Sequence, residues 1–227
     1  MGEECDRRTI MRRLYIVVEG QTEQEFVNTI LYPYFYNYGI YSVTPILINT
    51  SKTGRGGFVD YNHLKKTIKK ILNSRENDFV VTTFVDFFRI PDNLPNYEEC
   101  IKLKSNKESC LKMEGFIDSD INDRRFFSYI QLHEFEALLF SNNKGFEVFF
   151  TEEQAMKTNE IVNAFDNPEE INSKPETAPS KRMLSIKSNY NKPIDGNLIA
   201  LEIGISAMLE RCPRFREWIQ KLIKLCS

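Results

Sequence analysis

Apolar residues follow two rhythms along this chain. Leu14-Tyr15-Ile16-Val17-Val18 is a short unbroken apolar run, the mark of a strand covered on both faces, as in parallel sheets. Residues 43–49 read as a second strand, 79–86 as the core of a third, and 126–132 as a fourth. Between them the spacing turns helical. A helix is predicted from Thr22, where Thr22 and Glu25 have capping-box spacing and Phe26, Ile30 and Leu31 form an apolar stripe. Residues 61–73 set Leu64, Ile68, Ile71 and Leu72 against a lysine face, an amphipathic helix. The polar stretch 89–125 predicts a helix with loops, and another helix begins within 134–141. Residues 167–195, rich in Pro, Asn, Ser and Lys, predict a long irregular segment. From 196 to 224 the helical spacing returns, ending in Trp218, Leu222 and Ile223. These three read as core or, if they face solvent together, as an interface.

Strand and helix alternate, which predicts an α/β fold: a mostly parallel sheet covered by helices, with a helical C-terminal elaboration. Residues 1–10 read as an extension, 11–145 as the α/β core, and 146–227 as the elaboration packed on it. In such sheets ligands sit beyond the carboxyl ends of the strands, and acids gather there in this sequence. Glu19 follows the first strand directly, then Gly20, with Glu23 opening the helix. Asp86 ends the third strand inside a solidly apolar run, with Arg89 the nearest base. His133, Glu134 and Glu136 follow the fourth, and spacing alone does not choose between the two glutamates. Two carboxylates about 4 Å apart repel by roughly 4 kcal/mol at an effective dielectric of 20, so converging acids call for a proton or a cation. Hard oxygen donors without a His/Cys cluster favour Mg²⁺ or Mn²⁺. Asp118-Ser-Asp120 is a literal Asp-x-Asp with no strand before it and reads as a solvated loop. Gly54-Arg55-Gly56-Gly57 lacks the ending of a P-loop, though its backbone could form an anion nest with Arg55 on a phosphate.

Composition changes this picture little. A chain of 227 residues with seventeen Phe and ten Tyr has the material for a large core. A formal net charge of -2 gives no global basic footprint, so any polyanion must meet local patches: Lys65, Lys66, Lys69 and Lys70, or Lys181, Arg182, Lys187 and Lys192. Five cysteines without a CxxC pair and only two His argue against zinc and suit a reducing cytoplasm. No apolar run approaches the ~18 residues that span a bilayer, so no membrane association is expected.

Glu19-Gly20-Gln21-Thr22-Glu23 after a buried strand, with an Asp ending a later parallel strand, resembles the Toprim domain of topoisomerases, primases and OLD-type nucleases. A longer resemblance, from Met11 almost to the end, is to a bacterial Toprim-like family of unknown function (domain of unknown function 4276). It is carried by Leu14 to Phe26, by Tyr129-Ile-Gln-Leu-His-Glu-Phe-Glu-Ala-Leu-Leu-Phe140, and by Pro175 to Arg182 continuing to Leu198–Gly204. The resemblance implies a Mg²⁺- or Mn²⁺-dependent nuclease acting on DNA, in settings suggestive of phage defence and often beside an ATPase. Glu19 and Glu23 match the glutamates of the first Toprim motif, and Asp86 the first Asp of Asp-x-Asp. Phe88 stands where the second Asp belongs, so a second metal would use Glu134 or Glu136 or be absent. Lys181 and Arg182 would meet the phosphate, with Lys181 offsetting charge on the scissile group. The alternative is a catalytically degenerate Toprim-fold subunit that binds and regulates a partner ATPase.

Overall fold

The computed structural model describes residues 12–48, 58–171 and 175–226. The 1–10 extension and the glycine run around Arg55 lie outside the described residues. The strands are β1 (Arg13–Val18), β2 (Val43–Leu47), β3 (Phe79–Asp86), β4 (Phe126–Phe127) and β5 (Ile130–Gln131). They form one sheet in the order β2-β1-β3-β4, with β5 also paired to β3, and every pairing is parallel. The helices α1 (Gln21–Phe26), α2 (Tyr32–Tyr36), α3 (Tyr61–Leu72), α4 (Tyr97–Cys100) and α5 (Asn106–Ile121) belong to the first half. After the sheet come α6 (Glu136–Leu139), α7 (Lys144–Phe149), α8 (Glu152–Ala164) and α9 (Pro179–Ile186). The chain closes with α10 (Asn197–Ile203), α11 (Ile205–Arg211) and α12 (Pro213–Cys226).

Alternation within the strands sorts side chains into two cores, because successive side chains point to opposite faces. Leu14, Ile16, Val18, Val80 and Phe84 pack with Phe26, Phe35, Phe135 and the buried face of α12. Val17, Val81 and Val85 pack with Leu64 and Ile68 of α3 and Met113 and Ile117 of α5. All eight β3 residues are buried, as a central strand between two helical layers requires. Trp218 and Leu222 are buried in the first core, where Trp218 stacks on Tyr129 and donates from Nε1 to Thr82 Oγ1 at 3.1 Å. The Trp218–Leu222 stripe is therefore core rather than interface.

Four sequence expectations change. Thr22 does not cap α1: the N-cap is Gly20, with no side-chain cap, and Thr22 is buried with its carbonyl accepting from Asn197 Nδ2 at 3.2 Å. Tertiary packing overrides the local capping option. The fourth strand is split, because Thr83 Oγ1 exchanges hydrogen bonds with both N–H and C=O of Tyr129 while Asp118 Oδ1 accepts from Ser128 N and Oγ. These side chains replace the ladder at residues 128–129. Asp118 and Asp120 are accordingly on helix α5, not in a solvated loop, and Asp120 binds Tyr61 and Lys65. Finally, the segment 167–195 is not irregular throughout: it holds α9, where Pro179 occupies the first turn, the one helical region that tolerates a missing N–H.

Glu169 and Glu114 join the second half to the sheet side through Arg214 and Phe215. Glu169 accepts from the N–H groups of Arg214 and Phe215 at the start of α12, where the helix dipole favours a negative charge. Arg214 in turn reaches Glu114 on α5 at 2.7 Å and the Ile130 carbonyl at 3.0 Å. On the far side, α7 lies so close to α10 that a Cβ on Gly145 would stand 2.5 Å from the Ile199 carbonyl oxygen. Gly145→Ala must push these helices apart behind the site and is expected to lose about 1–3 kcal/mol. Urea denaturation of the whole chain checks this, and a variant as stable as wild type would mean the helices are not locked there.

Candidate functional site

β1 and β3 are adjacent and parallel, with Val18 opposite Phe84, so Glu19 and Asp86 leave the sheet at the same edge. Glu19 Oε2 accepts from the Asp86 N–H at 3.3 Å. Gly20 is extended and turns the chain into α1. A Cβ at Gly20 would come 3.3 Å from Glu23 Oε2, so the missing side chain lets the Glu23 carboxylate lie back over the turn. After β5 the chain bends at His133 (φ 66), whose carbonyl accepts from Phe88 N at 2.8 Å. The bend lets the Phe135 N–H donate to Asp86 Oδ1 at 2.9 Å and brings Glu136 inward, where it is 0 % exposed.

The centre of this acidic group is a lysine. Lys192 Nζ lies 3.1 Å from Asp86 Oδ2, 3.2 Å from Glu136 Oε2 and 3.3 Å from Glu23 Oε1. Residues 187–196 are built to present it. Asn191 Oδ1 accepts from Ile194 N, and Asp195 Oδ2 accepts from Asn191 N and pairs with Lys187 at 3.1 Å. Pro193 follows, in a π-type turn that runs into α10, and Asn197 ties that helix to the Thr22 carbonyl. Sequence reading places Lys192 only in a lysine patch. The signal that could have raised it is its setting, between an Asn cap and Pro-Ile-Asp-Gly just before a helix.

The electrostatics follow from four carboxylates and one ammonium in a largely buried place, where Lys192 keeps 30% side-chain exposure and its three partners 9% or less. Burial would lower the Lys192 ammonium, but Asp86, Glu136 and Glu23 together hold it well above its ordinary value. Burial raises Asp86 well above the carboxylate range, against the pull of Lys192 and with help from Glu23, Glu19 and Glu136. Burial likewise pushes Glu136 up to about 7. Glu19 is raised by burial and by Glu23, against Lys192 and the N–H groups of Phe58 and Asp86. One internal cation does not satisfy this many acids, and the surplus must be held as protons or by further positive charge.

The other sequence candidates lie apart from this cluster. Glu134 accepts from Ser180 N and Oγ, both at 2.9 Å, and so anchors the start of α9. His133 is buried and drops to about 4, as desolvation disfavours its charged form. Lys181 is exposed on α9. Arg182 binds the carbonyls of Thr177 and Ile171 and stacks over Phe165. Arg89 lies over the Phe88 ring and Asp92 is exposed; Asp86 takes Lys192, not Arg89, as its ion-pair partner. Among the described residues no three acidic, His or Cys side chains are positioned to hold a metal ion as they stand. The donor chemistry nonetheless fits a hard divalent cation, since three carboxylate oxygens already surround one positive charge.

A search of the curated proteins finds no match. Among solved structures, the C-terminal region of the Xanthomonas campestris pv. campestris OLD protein is similar over 92% of this chain and 97% of that one. Its identity is 14% and its TM-score 0.39, too low to transfer fold or chemistry. The described residues hold no helix long and apolar enough to cross a membrane. The model of the family described as domain of unknown function (DUF4276) matches residues 18–223, and the chain belongs to that family.

Proposed function

We propose that this chain is a Toprim-like, divalent-metal-dependent nuclease acting on DNA phosphodiesters, with Glu19, Glu23, Asp86 and Glu136 as the metal-holding acids and Lys192 as the phosphate-facing cation. The observation that carries the reading is the convergence of acids from β1, α1, β3 and α6 on one point at the carboxyl edge of a parallel sheet. A domain that needed only to pack would not gather buried carboxylates from four elements, because each desolvated charge costs several kcal/mol unless it is compensated. The Glu-Gly-Gln-Thr-Glu run and the Asp at the end of β3 agree with a Toprim arrangement. Phe88 in place of a second Asp turns the remaining demand for ligands onto Glu136 rather than Glu134, whose carboxylate is committed to Ser180.

When bound, Mg²⁺ or Mn²⁺ would polarise a phosphoryl oxygen and ready a water for attack. The chain's own groups do the rest. Glu19 is fixed by the Asp86 N–H. Asp86 is held by the Phe135 N–H, so its free oxygen has one direction in which to point. Lys192 sits on a turn with a polar frame and can exchange its carboxylate partners for a phosphate oxygen, offsetting charge that grows there. Arg182 is committed to the carbonyls of Thr177 and Ile171, while the exposed Lys181 remains a candidate for contacts with the DNA phosphates. A role in phage defence beside an ATPase rests on the family resemblance alone.

The experiment is direct. Single-stranded and double-stranded DNA are incubated with the purified chain in Mn²⁺, in Mg²⁺ and in EDTA, and metal binding is measured by titration calorimetry. Expected are cleavage in metal, none in EDTA, and loss of cleavage in Asp86→Asn with a metal-free melting point within a few degrees of wild type. Absence of both cleavage and metal binding would overturn the reading. One observation favours a second reading: Lys192 already neutralises some of the site's charge. A degenerate Toprim-fold subunit that docks an ATPase could keep it as a permanent counter-ion, and such a chain would show no metal binding yet lose stability when Lys192 is removed.

A further inference from the structure

The wall behind Lys192 holds a hydroxyl without a hydrogen bond and a carboxylate compensated by Lys192. Tyr190 is 9% exposed and its hydroxyl makes no hydrogen bond among the described residues. Both carboxylate oxygens of Glu136 are buried without a hydrogen bond as well, their compensation being the ion pair to Lys192. A buried hydroxyl left unpaired is unfavourable, and a phenol is a poor choice if only volume were needed, since Phe would fill the same space. The backbone makes room for this hydroxyl. A Cβ on Gly196 would stand 2.8 Å from Tyr190 Oη and 3.4 Å from Phe135 Cε1, so the absence of a side chain at 196 is what lets the phenol reach in beside the Phe135 ring. Glu136 is the nearest-felt charge on Tyr190, ahead of Lys192, Asp195 and Glu134.

We infer that Tyr190 is a positioning residue for Glu136, its hydroxyl donating to the carboxylate, directly or through one water, once Lys192 has left it. This rests on the reading under Proposed function. Asp86, Glu23 and Glu136 would hold a divalent cation where the ammonium now lies 3.1–3.3 Å from all three, so Lys192 would have to turn away. With Lys192 turned away, Glu136 would keep one oxygen for the cation, and no other side chain hydrogen-bonds its second oxygen among the described residues. The phenol supplies that donor, fixes the rotamer of Glu136 and shields it from solvent. A carboxylate ligand held by a second hydrogen bond binds a cation more tightly and in one orientation. Tyr190 touches neither substrate nor reacting atoms.

The test is titration calorimetry of the whole chain with MnCl₂ alone, for wild type, Tyr190→Phe and Gly196→Ala, beside thermal melts in EDTA. Tyr190→Phe is expected to weaken Mn²⁺ binding roughly tenfold, in the range found when a group supporting a metal ligand is removed. Its EDTA melting point should equal or slightly exceed that of wild type, because an unpaired buried hydroxyl is gone. Gly196→Ala, which pushes the phenol out, is expected to weaken Mn²⁺ in the same direction. Where DNA cleavage is measurable, Tyr190→Phe should lower kcat at saturating DNA and leave KM for DNA unchanged. Equal Mn²⁺ affinities for wild type and Tyr190→Phe overturn the inference and leave the metal reading standing. An EDTA melting point several degrees lower for Tyr190→Phe also overturns it, since the hydroxyl would then be bonded in the metal-free fold. Absence of Mn²⁺ binding by wild type removes both.

Discussion

Lys192→Met is expected to destabilise the metal-free chain by about 3–5 kcal/mol at pH 8, the usual scale for removing one partner of a buried ion pair, and by much less at pH 5. The ammonium lies 3.1–3.3 Å from three carboxylates that belong to α1, β3 and α6. Methionine keeps the length and apolar body of the stem, so the loss is electrostatic rather than one of packing. At pH 8 the variant must either keep several ionised acids together in a largely buried site or bind protons from a solution that offers few. At pH 5 protonation is cheap, and it neutralises the acids in place of the lysine. Urea denaturation at the two pH values measures the difference. An equal loss at both would mean that Lys192 acts through packing alone, and the account of the site as an over-acidic cluster would fall. Mg²⁺ adds a second comparison that rests on the proposed function. It should stabilise the methionine variant more than wild type, because the ammonium no longer competes for the same oxygens.

How much of this was legible in the sequence depended on whether a residue's role was set locally. The strands over 14–18 and 79–86 are readable because a central parallel strand is apolar without interruption, and the structure has both. The α3 stripe is readable for the same kind of reason, since one face carries Leu64 and Ile68 and the other the lysines. Glu19 and Asp86 could be picked out because a carboxylate at the end of a buried strand has no cheap local explanation. Glu134 and Glu136 could not be separated. They stand two residues apart at a turn, and what divides them is Ser180 on one side and Lys192 on the other, each from the second half of the chain. Lys192 itself is 106 positions from Asp86 and lies in a polar stretch that composition alone assigns to a loop. The capping signal at Thr22 and the continuous strand over 126–132 failed for a shared reason. In each, contacts distant in sequence decide: Thr22 is buried with Asn197 bonded to its carbonyl, and Asp118 with Thr83 takes the hydrogen bonds of residues 128–129 that the pattern had assigned to a ladder.

The pH dependence of stability carries opposing signatures of the two halves of this edge, and two substitutions should separate them. Glu136 titrates near 7 in the folded chain against an ordinary value of 4.5. Between those values the folded state holds a proton that the unfolded state has released. Stability therefore falls as pH rises through this window, by on the order of 3 kcal/mol for a shift of this size. Asp86 and Glu19 are raised as well and act in the same direction. His133 does the reverse. Its folded value of about 4 lies below its ordinary 6.5, so between them the unfolded state binds the proton, and stability rises with pH by a similar amount. In wild type the two effects oppose each other between about pH 4.5 and 6.5, with the raised acids together outweighing His133. His133→Asn keeps a residue that tolerates the positive φ at this position and removes the rising contribution, so its stability should fall more steeply with pH than that of wild type. Glu136→Gln removes a falling contribution, so its curve should tilt upward relative to wild type over pH 4.5–7. Urea denaturation in steps across that range, in EDTA, gives all three curves. Parallel curves would mean that neither group carries a shifted proton. Curves tilted the same way would mean that the burial of His133 and the acidity around Glu136 do not oppose one another at this edge.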